Sequence, residues 1–161
     1  MIKTIDIKTI KLIHLLSIYN YSNEESMKLK IIKLLNLNEN EEYNFENILN
    51  NEINKYSQLC IFKFYDTKLL KYIYCNQEKY VIYFNNYGEM IYKGQFNIIT
   101  NEFEGYGVYY SSKKEEIYEG FFLKNKKNGL GTLTINNIIK LHGKWKDGKL
   151  IQIIREKHLK I

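Results

Sequence analysis

Between Tyr92 and Leu150 the chain places, three times over, an aromatic or aliphatic residue, a glycine and an aromatic at alternate positions. The three units are Tyr92-Lys93-Gly94-Gln95-Phe96, Tyr118-Glu119-Gly120-Phe121-Phe122 and Leu141-His142-Gly143-Lys144-Trp145. Side chains alternate across a strand, so the first, third and fifth residues of each unit share one face. That face reads ring, gap, ring. A glycine there opens a slot for a ring from the neighbouring strand and permits close backbone approach, at some cost in strand stability. The glycines are therefore read as packing devices.

A second signal follows each opening strand: Gly105-Tyr106-Gly107 in the first unit and Gly129-Leu130-Gly131 in the second. Between the two signals lie polar residues such as Asn125-Lys126-Lys127-Asn128, which have turn composition. Each unit is thus expected to be a β-hairpin, out along the aromatic strand and back along the glycine strand and its continuation, Thr132-Leu133-Thr134-Ile135. The first residues of the units lie about 26 and about 23 residues apart, within the range of repeat architectures. The difference falls in the longer first turn, Asn97 to Glu104, where insertion costs little.

These residues resemble the MORN (membrane occupation and recognition nexus) repeats, whose pattern runs Tyr-x-Gly-x-Trp/Phe, a turn glycine, Gly-x-Gly and a strand. The middle unit carries Tyr118, Gly120, Phe122, Gly129 and Gly131 in that spacing, with Asn125 at the turn glycine. The first carries Tyr92, Gly94, Phe96, Gly105 and Gly107. The third has Gly143, Trp145 and Gly148, but Leu141 replaces the aromatic, and Gln152 and Ile154 replace Gly-x-Gly, as in a half-finished terminal repeat. Upstream, Tyr83 to Glu89 resembles the return strand and turn of a degenerate repeat whose outgoing strand is Tyr72 to Cys75. The resemblance implies scaffolding, self-association, or attachment of other factors to membranes and cytoskeletal structures. In larger members the repeats accompany a kinase or methyltransferase domain, for which these 161 residues leave no room.

Residues 1 to about 60 lack glycine and proline and have helical periodicity. Ile2, Ile5, Leu12, Ile13 and Leu16 fall on one side of a helix, with Lys3, Lys8 and Lys11 opposite. Ser22 and Glu25 have capping-box spacing for a second helix through Met27, Ile31, Ile32, Leu34 and Leu35. A third helix is expected from about Asn44 to Leu59 on Phe45, Ile48, Leu49, Ile53 and Tyr56, after an Asn-Glu loop from Asn36 to Glu42. From Leu59 the period changes. Ile61–Tyr65 and Leu69–Tyr74 read as strands, with turns at Asp66-Thr67 and Cys75 to Glu78.

The expected fold is α+β: about three helices in an N-terminal cap (1–60), then a single-layer antiparallel array of β-hairpins (61–161). Its repeats are placed at about 92–117, 118–140 and 141–161, with a degenerate one at about 69–91. An open array exposes a strand edge and an apolar end, and the helices are the simplest cover. The first helix has an alternative, lying in a membrane interface with its lysines snorkelling.

Catalytic chemistry finds no support. His14, His142 and His158 are scattered without metal-ligand spacing, Glu115-Glu116 reads as a solvated charged turn, and neither Gly-x-Gly opens a phosphate loop. No catalytic residue, metal or cofactor is expected. Cys60 and Cys75 make no disulfide framework. No cleavable signal is read at the N-terminus, and no run approaches the roughly 18 apolar residues of a transmembrane helix. A cytoplasmic protein, peripheral at a membrane or cytoskeletal structure in one version, is the expectation.

Charge supplies the binding candidates. Of the net +6, residues 140–161 hold Lys140, Lys144, Lys146, Lys149, Arg155, Lys157 and Lys160 against Asp147 and Glu156, a local +5. Lys140, His142, Lys144 and Lys146 share one strand face. Such a stripe attracts lipid headgroups at about 1 kcal/mol per basic residue, although the last repeat of any array also needs a charged outer face for solubility. The rings of Tyr92, Phe96, Tyr118, Phe122 and Trp145 would suit base stacking, but filling one another's slots is the more economical role. The expected function is non-enzymatic scaffolding, with a protein partner or a second copy as occupant. The alternative is an anionic phospholipid surface held by the C-terminal basic residues. Nucleic acid is set aside, and no small-molecule substrate is expected.

Overall fold

The computed structural model describes residues 5–160, so Ile2 and Lys3, assigned to the first helix by periodicity, lie outside the described residues. The fold is α+β. Three helices, α1 (Ile7–Ser22), α2 (Glu25–Leu35) and α3 (Phe45–Tyr56), precede nine strands. These are β1 (Cys60–Phe64), β2 (Leu70–Cys75), β3 (Tyr80–Phe84), β4 (Met90–Asn97), β5 (Glu102–Ser111), β6 (Glu116–Leu123), β7 (Lys126–Ile135), β8 (Ile139–Lys146) and β9 (Lys149–His158). They follow one another in chain order in one open antiparallel sheet of hairpins. The chain divides into two compact units, one comprising everything up to Asn76 with Phe84–Glu89, the other Gln77–Tyr83 with Met90 onward. The first two strands thus group with the helices.

In the first unit, α1 opens at Asp6, whose carboxylate accepts from the Thr9 backbone N–H at 2.7 Å. That bond caps an orphan donor and holds the carboxyl below its usual range. The helix runs further than its apolar pattern predicts. Ser22 is its last residue, with its hydroxyl donating back to the Ile18 carbonyl, and Asn23 stops it in the left-handed conformation. The expected capping box is therefore absent: Glu24 is the N-cap of α2, and its side chain caps no backbone N–H. Asn44 caps α3 by accepting from Asn47 N. Leu12, Ile13 and Leu16 of α1, Ile31 and Ile32 of α2, and Phe45 and Leu49 of α3 are buried. β2 is buried along nearly its whole length because α1 packs against it. Cys60 stands opposite Cys75, their buried sulfurs 3.7 Å apart. His14 is stacked on Phe84 at 4.2 Å, and burial pushes its pKa down.

In the second unit the strands alternate as the motif predicts. Tyr92, Gly94 and Phe96 are buried while Lys93 and Gln95 are exposed, and Tyr118, Gly120 and Phe122 repeat this against Glu119 and Phe121. The glycines form a ladder. Gly94 pairs with Gly107, Gly107 with Gly120, Gly120 with Gly131 and Gly131 with Gly143. The slot at Gly107 on β5 is filled, as expected, by a ring from the neighbouring strand: Tyr92 of β4 covers Gly107, where a Cβ would sit 2.5 Å from the Tyr92 Cζ. Its hydroxyl donates to the Gln95 carbonyl at 2.7 Å. Tyr118 covers Gly131 in the same way and donates to the Phe121 carbonyl at 3.1 Å. Gly105 and Gly129, the first glycines of each Gly-x-Gly, sit in bulges at φ of +92° and +95°, a region that L side chains rarely enter.

The turns are tighter than their composition suggests. Only Lys124 and Asn125 link β6 to β7, both at positive φ, and Lys126 and Lys127, expected in the turn, belong to the strand. Asn125 also ties neighbouring hairpins: its N–H donates to the Phe103 carbonyl at 3.1 Å, and its side-chain oxygen accepts from Phe103 N at 2.7 Å. Gly148 donates to the Lys127 carbonyl at the matching place in the next hairpin.

Candidate interaction surfaces

The ladder side of the sheet is packing surface. Tyr92 stacks on Phe103 at 3.8 Å and meets Phe122 edge-on, and Tyr118 meets Phe122 and Trp145 edge-on, both at 5.2 Å. The aromatic members of the repeat motif, Tyr92, Phe96, Tyr118, Phe122 and Trp145, are all buried, as are Gly94, Gly107, Gly120, Gly131 and Gly143. Gly105 and Gly129 are half-buried in their bulges and Gly148 is exposed in its turn. Burial drives the Tyr118 phenol up to about 12 and the Tyr92 phenol further. Lys127 takes the place that Phe103 holds in the preceding hairpin. Its ammonium sits 5.0 Å from the Tyr118 ring and 4.8 Å from the Trp145 ring, and burial lowers its pKa.

The opposite side carries the charge. On β8, Lys140, Lys144 and Lys146 are exposed and His142 half-exposed, with the His142 Nδ1 3.0 Å from the Thr132 hydroxyl. The register of β9 brings Lys157 opposite Lys140, Arg155 opposite His142 and Lys149 opposite Lys146. Directly paired residues share a face, so six of the seven basic candidates converge on one side of the last hairpin. Lys160 lies beyond the end of β9. Glu156 pairs with Leu141 and therefore stands on the other side, where it contacts His158 at 2.8 Å.

Two further features escape the motif. Tyr106, Phe121 and Leu130 are each exposed on the charged side, and Tyr106 meets Phe121 edge-on at 5.5 Å. Their signal was present in the sequence, since each neighbours a ladder or bulge glycine and so points the other way. Second, β9 is the last strand of the sheet, exposed over almost all of its ten residues, with Ile151 and Ile154 as the extra residues of two bulges.

Among the described residues no three His, Cys, Asp or Glu side chains lie close enough to hold a metal ion, and no helix is long and apolar enough to cross a membrane. No family model matches the chain, and no curated protein matches it.

Proposed function

We propose that this chain is a non-enzymatic, MORN-like interaction module that joins proteins through β9. The supporting observation is the bare edge itself: ten residues, with Ile151, Ile153 and Ile154 more than half exposed. The outer edge of a strand of that length offers a row of backbone donors and acceptors to an added strand. The two bulges and the flanking lysines and arginine restrain indiscriminate pairing. Charge also selects the occupant. Two copies of β9 side by side would bring Lys149, Arg155 and Lys157 against one another, whereas an acidic extended segment of another protein would neutralise them.

The test compares the full chain with Ile151→Lys/Ile154→Lys by light scattering and by capture of cross-linked partners mapped to the residue. A monomer cross-linked along β9 to acidic segments, and losing them in the variant, is expected. A chain that captures nothing, or whose cross-links avoid β9, overturns the reading.

The basic side of β8–β9 favours a second reading, peripheral attachment to anionic phospholipid. Paired cations at Lys140/Lys157 and Lys146/Lys149, with Glu156 turned to the other side, are its motive. Sedimentation with anionic vesicles at low and physiological salt tests it. Changing Lys144, Lys146 and Lys149 to Glu should abolish association, and undiminished binding would discard the idea.

A further inference from the structure

We propose that the groove between α1 and α2 binds a compact, multiply phosphorylated anion. Lys8, Lys11 and Leu15 of α1 and Lys30, Lys33 and Leu34 of α2 line an open cavity of about 510 Å³. On α1 the steps are three and four residues, and on α2 Lys33 and Leu34 lie three and four residues after Lys30, so on each helix the three fall on one face. Two helices that pack on each other therefore turn two cations apiece toward shared space. Among the described residues none of the four has an ion-pair partner, although Lys28 pairs with Glu25 on the same helix. Asp6 offsets Lys8 in part, but four gathered ammonium groups still repel one another, and an anion placed between them turns that repulsion into attraction.

In α2 and α3 an acid occupies the first turn and a lysine the last, as the helix dipole favours. In α1 the acid is the N-cap, Asp6, and the first turn after it carries Lys8 and no acid, so Asp6 is the carboxylate that offsets Lys8 at that end of the groove.

The chemistry of the lining selects the ligand. Ammonium groups act as strongly hydrated point charges, suited to clustered phosphate oxygens more than to a flat carboxylate, which an arginine fork would grip. The volume suits a small molecule or a headgroup. Leu15 and Leu34, both half-buried, supply an apolar floor that strengthens the attraction locally. A free polyphosphorylated metabolite and a phosphorylated lipid headgroup share this chemistry.

The experiment titrates the full chain with inositol hexakisphosphate by calorimetry, and in parallel with phosphatidylcholine vesicles with and without phosphatidylinositol bisphosphate. Saturable binding of one anion per chain is expected, weakened by salt and about tenfold by Lys30→Gln/Lys33→Gln or by Lys8→Gln/Lys11→Gln. Circular dichroism of the variants should retain the helical signal, separating lost charge from lost fold. Lys113→Gln/Lys114→Gln, two exposed lysines between β5 and β6, should leave the affinity within about twofold, which separates a site in the groove from general positive charge. Equal sensitivity with phosphoinositide vesicles assigns the ligand to a membrane. Binding of the free anion alone assigns it to a soluble metabolite. No saturable binding at low salt, or equal weakening by Lys113→Gln/Lys114→Gln, overturns the proposal.

Discussion

The hairpins β4–β5 and β6–β7 are closed by a tyrosine lying across a pair of glycines; the hairpin β8–β9 is not. In the first two, a phenol ring covers the ladder, its hydroxyl ties to a carbonyl three residues on, and a positive-φ glycine makes the bulge. In the last, Leu141 stands where the tyrosine would be and Gly143 faces Ile153. The space that a Cβ on Gly143 would need is taken by the Gln152 carbonyl and the Leu150 side chain. With no glycine on β9 the backbone has no residue suited to positive φ, and two one-residue bulges at Ile151 and Ile154 replace the glycine bulge. The ring, its covered glycine and the bulge glycine thus occur together or are absent together.

The largest effect should come from filling the ladder. A Cβ on Gly131 would enter the Tyr118 ring, and one on Gly120 would sit 2.5 Å from the Cα of Gly131. Gly131→Ala should therefore cost about 3 kcal/mol or more in chemical denaturation. Gly148→Ala, with nothing within 4 Å but φ at +84°, should cost only about 1–2 kcal/mol. Equal costs would show that the Tyr118 ring gives way to the added methyl and does not demand the ladder glycine.

Next comes Tyr118→Leu, which gives the second hairpin the residue of the third. It removes a ring that touches Phe122, Trp145 and Lys127, and a loss of about 2–4 kcal/mol is expected in the same assay. The reverse change, Leu141→Tyr, should destabilise by itself and recover when Ile153→Gly clears a place for the ring. Failure of that double mutant to recover would separate ring from glycine.

Removing only the phenol oxygen is gentler. Tyr118→Phe loses the bond to the Phe121 carbonyl and should cost about 1 kcal/mol at neutral pH. It should also change the alkaline limb. Tyr118 ionises near 10.0 when exposed and at about 12 in the fold. Its neutral form is the one the native state favours, so its contribution is complete below pH 10 and is lost as pH rises toward 12. The variant should show a shallower fall over that window in pH-dependent melts. An unchanged slope would assign the alkaline loss to Tyr92 and other groups.

The smallest effect has the opposite sign. Lys127→Phe copies Phe103 of the preceding hairpin and exchanges a partly buried ammonium for a stacked ring. A gain of about 0.5–1 kcal/mol in stability is expected. A loss would mean that the lysine between Tyr118 and Trp145 binds more tightly than a ring can pack.

Much of this was legible in the residues. Period two with glycine at every middle position placed Tyr92, Tyr118 and Trp145 on one face, and the three helices follow from apolar steps of three and four. What failed depends on information outside the local pattern. Lys124 and Asn125 make a two-residue turn without glycine, so turn composition spread it over Lys126 and Lys127. Ser22 looked like a start signal because nothing nearby announced that Asn23 would end α1 in the left-handed conformation. The convergence of the basic residues needed the β8–β9 register, bulges included. The lysine groove needed to know which faces of α1 and α2 meet, and Lys30 and Lys33 by themselves read as an ordinary wet helix face.

The ladder has a consequence for inheritance. Gly131 meets Gly143 across the strands just as Gly107 meets Gly120, so a tandem copy of the stretch from 116 to 138 would present a glycine in the correct row on both sides. Such a duplication needs no compensating change in its neighbours, and each would widen the sheet by about 9–10 Å. The number of hairpins is therefore a quantity that copying errors can raise or lower in whole steps, while the sequence of each step stays fixed by the tyrosine and the glycines it covers.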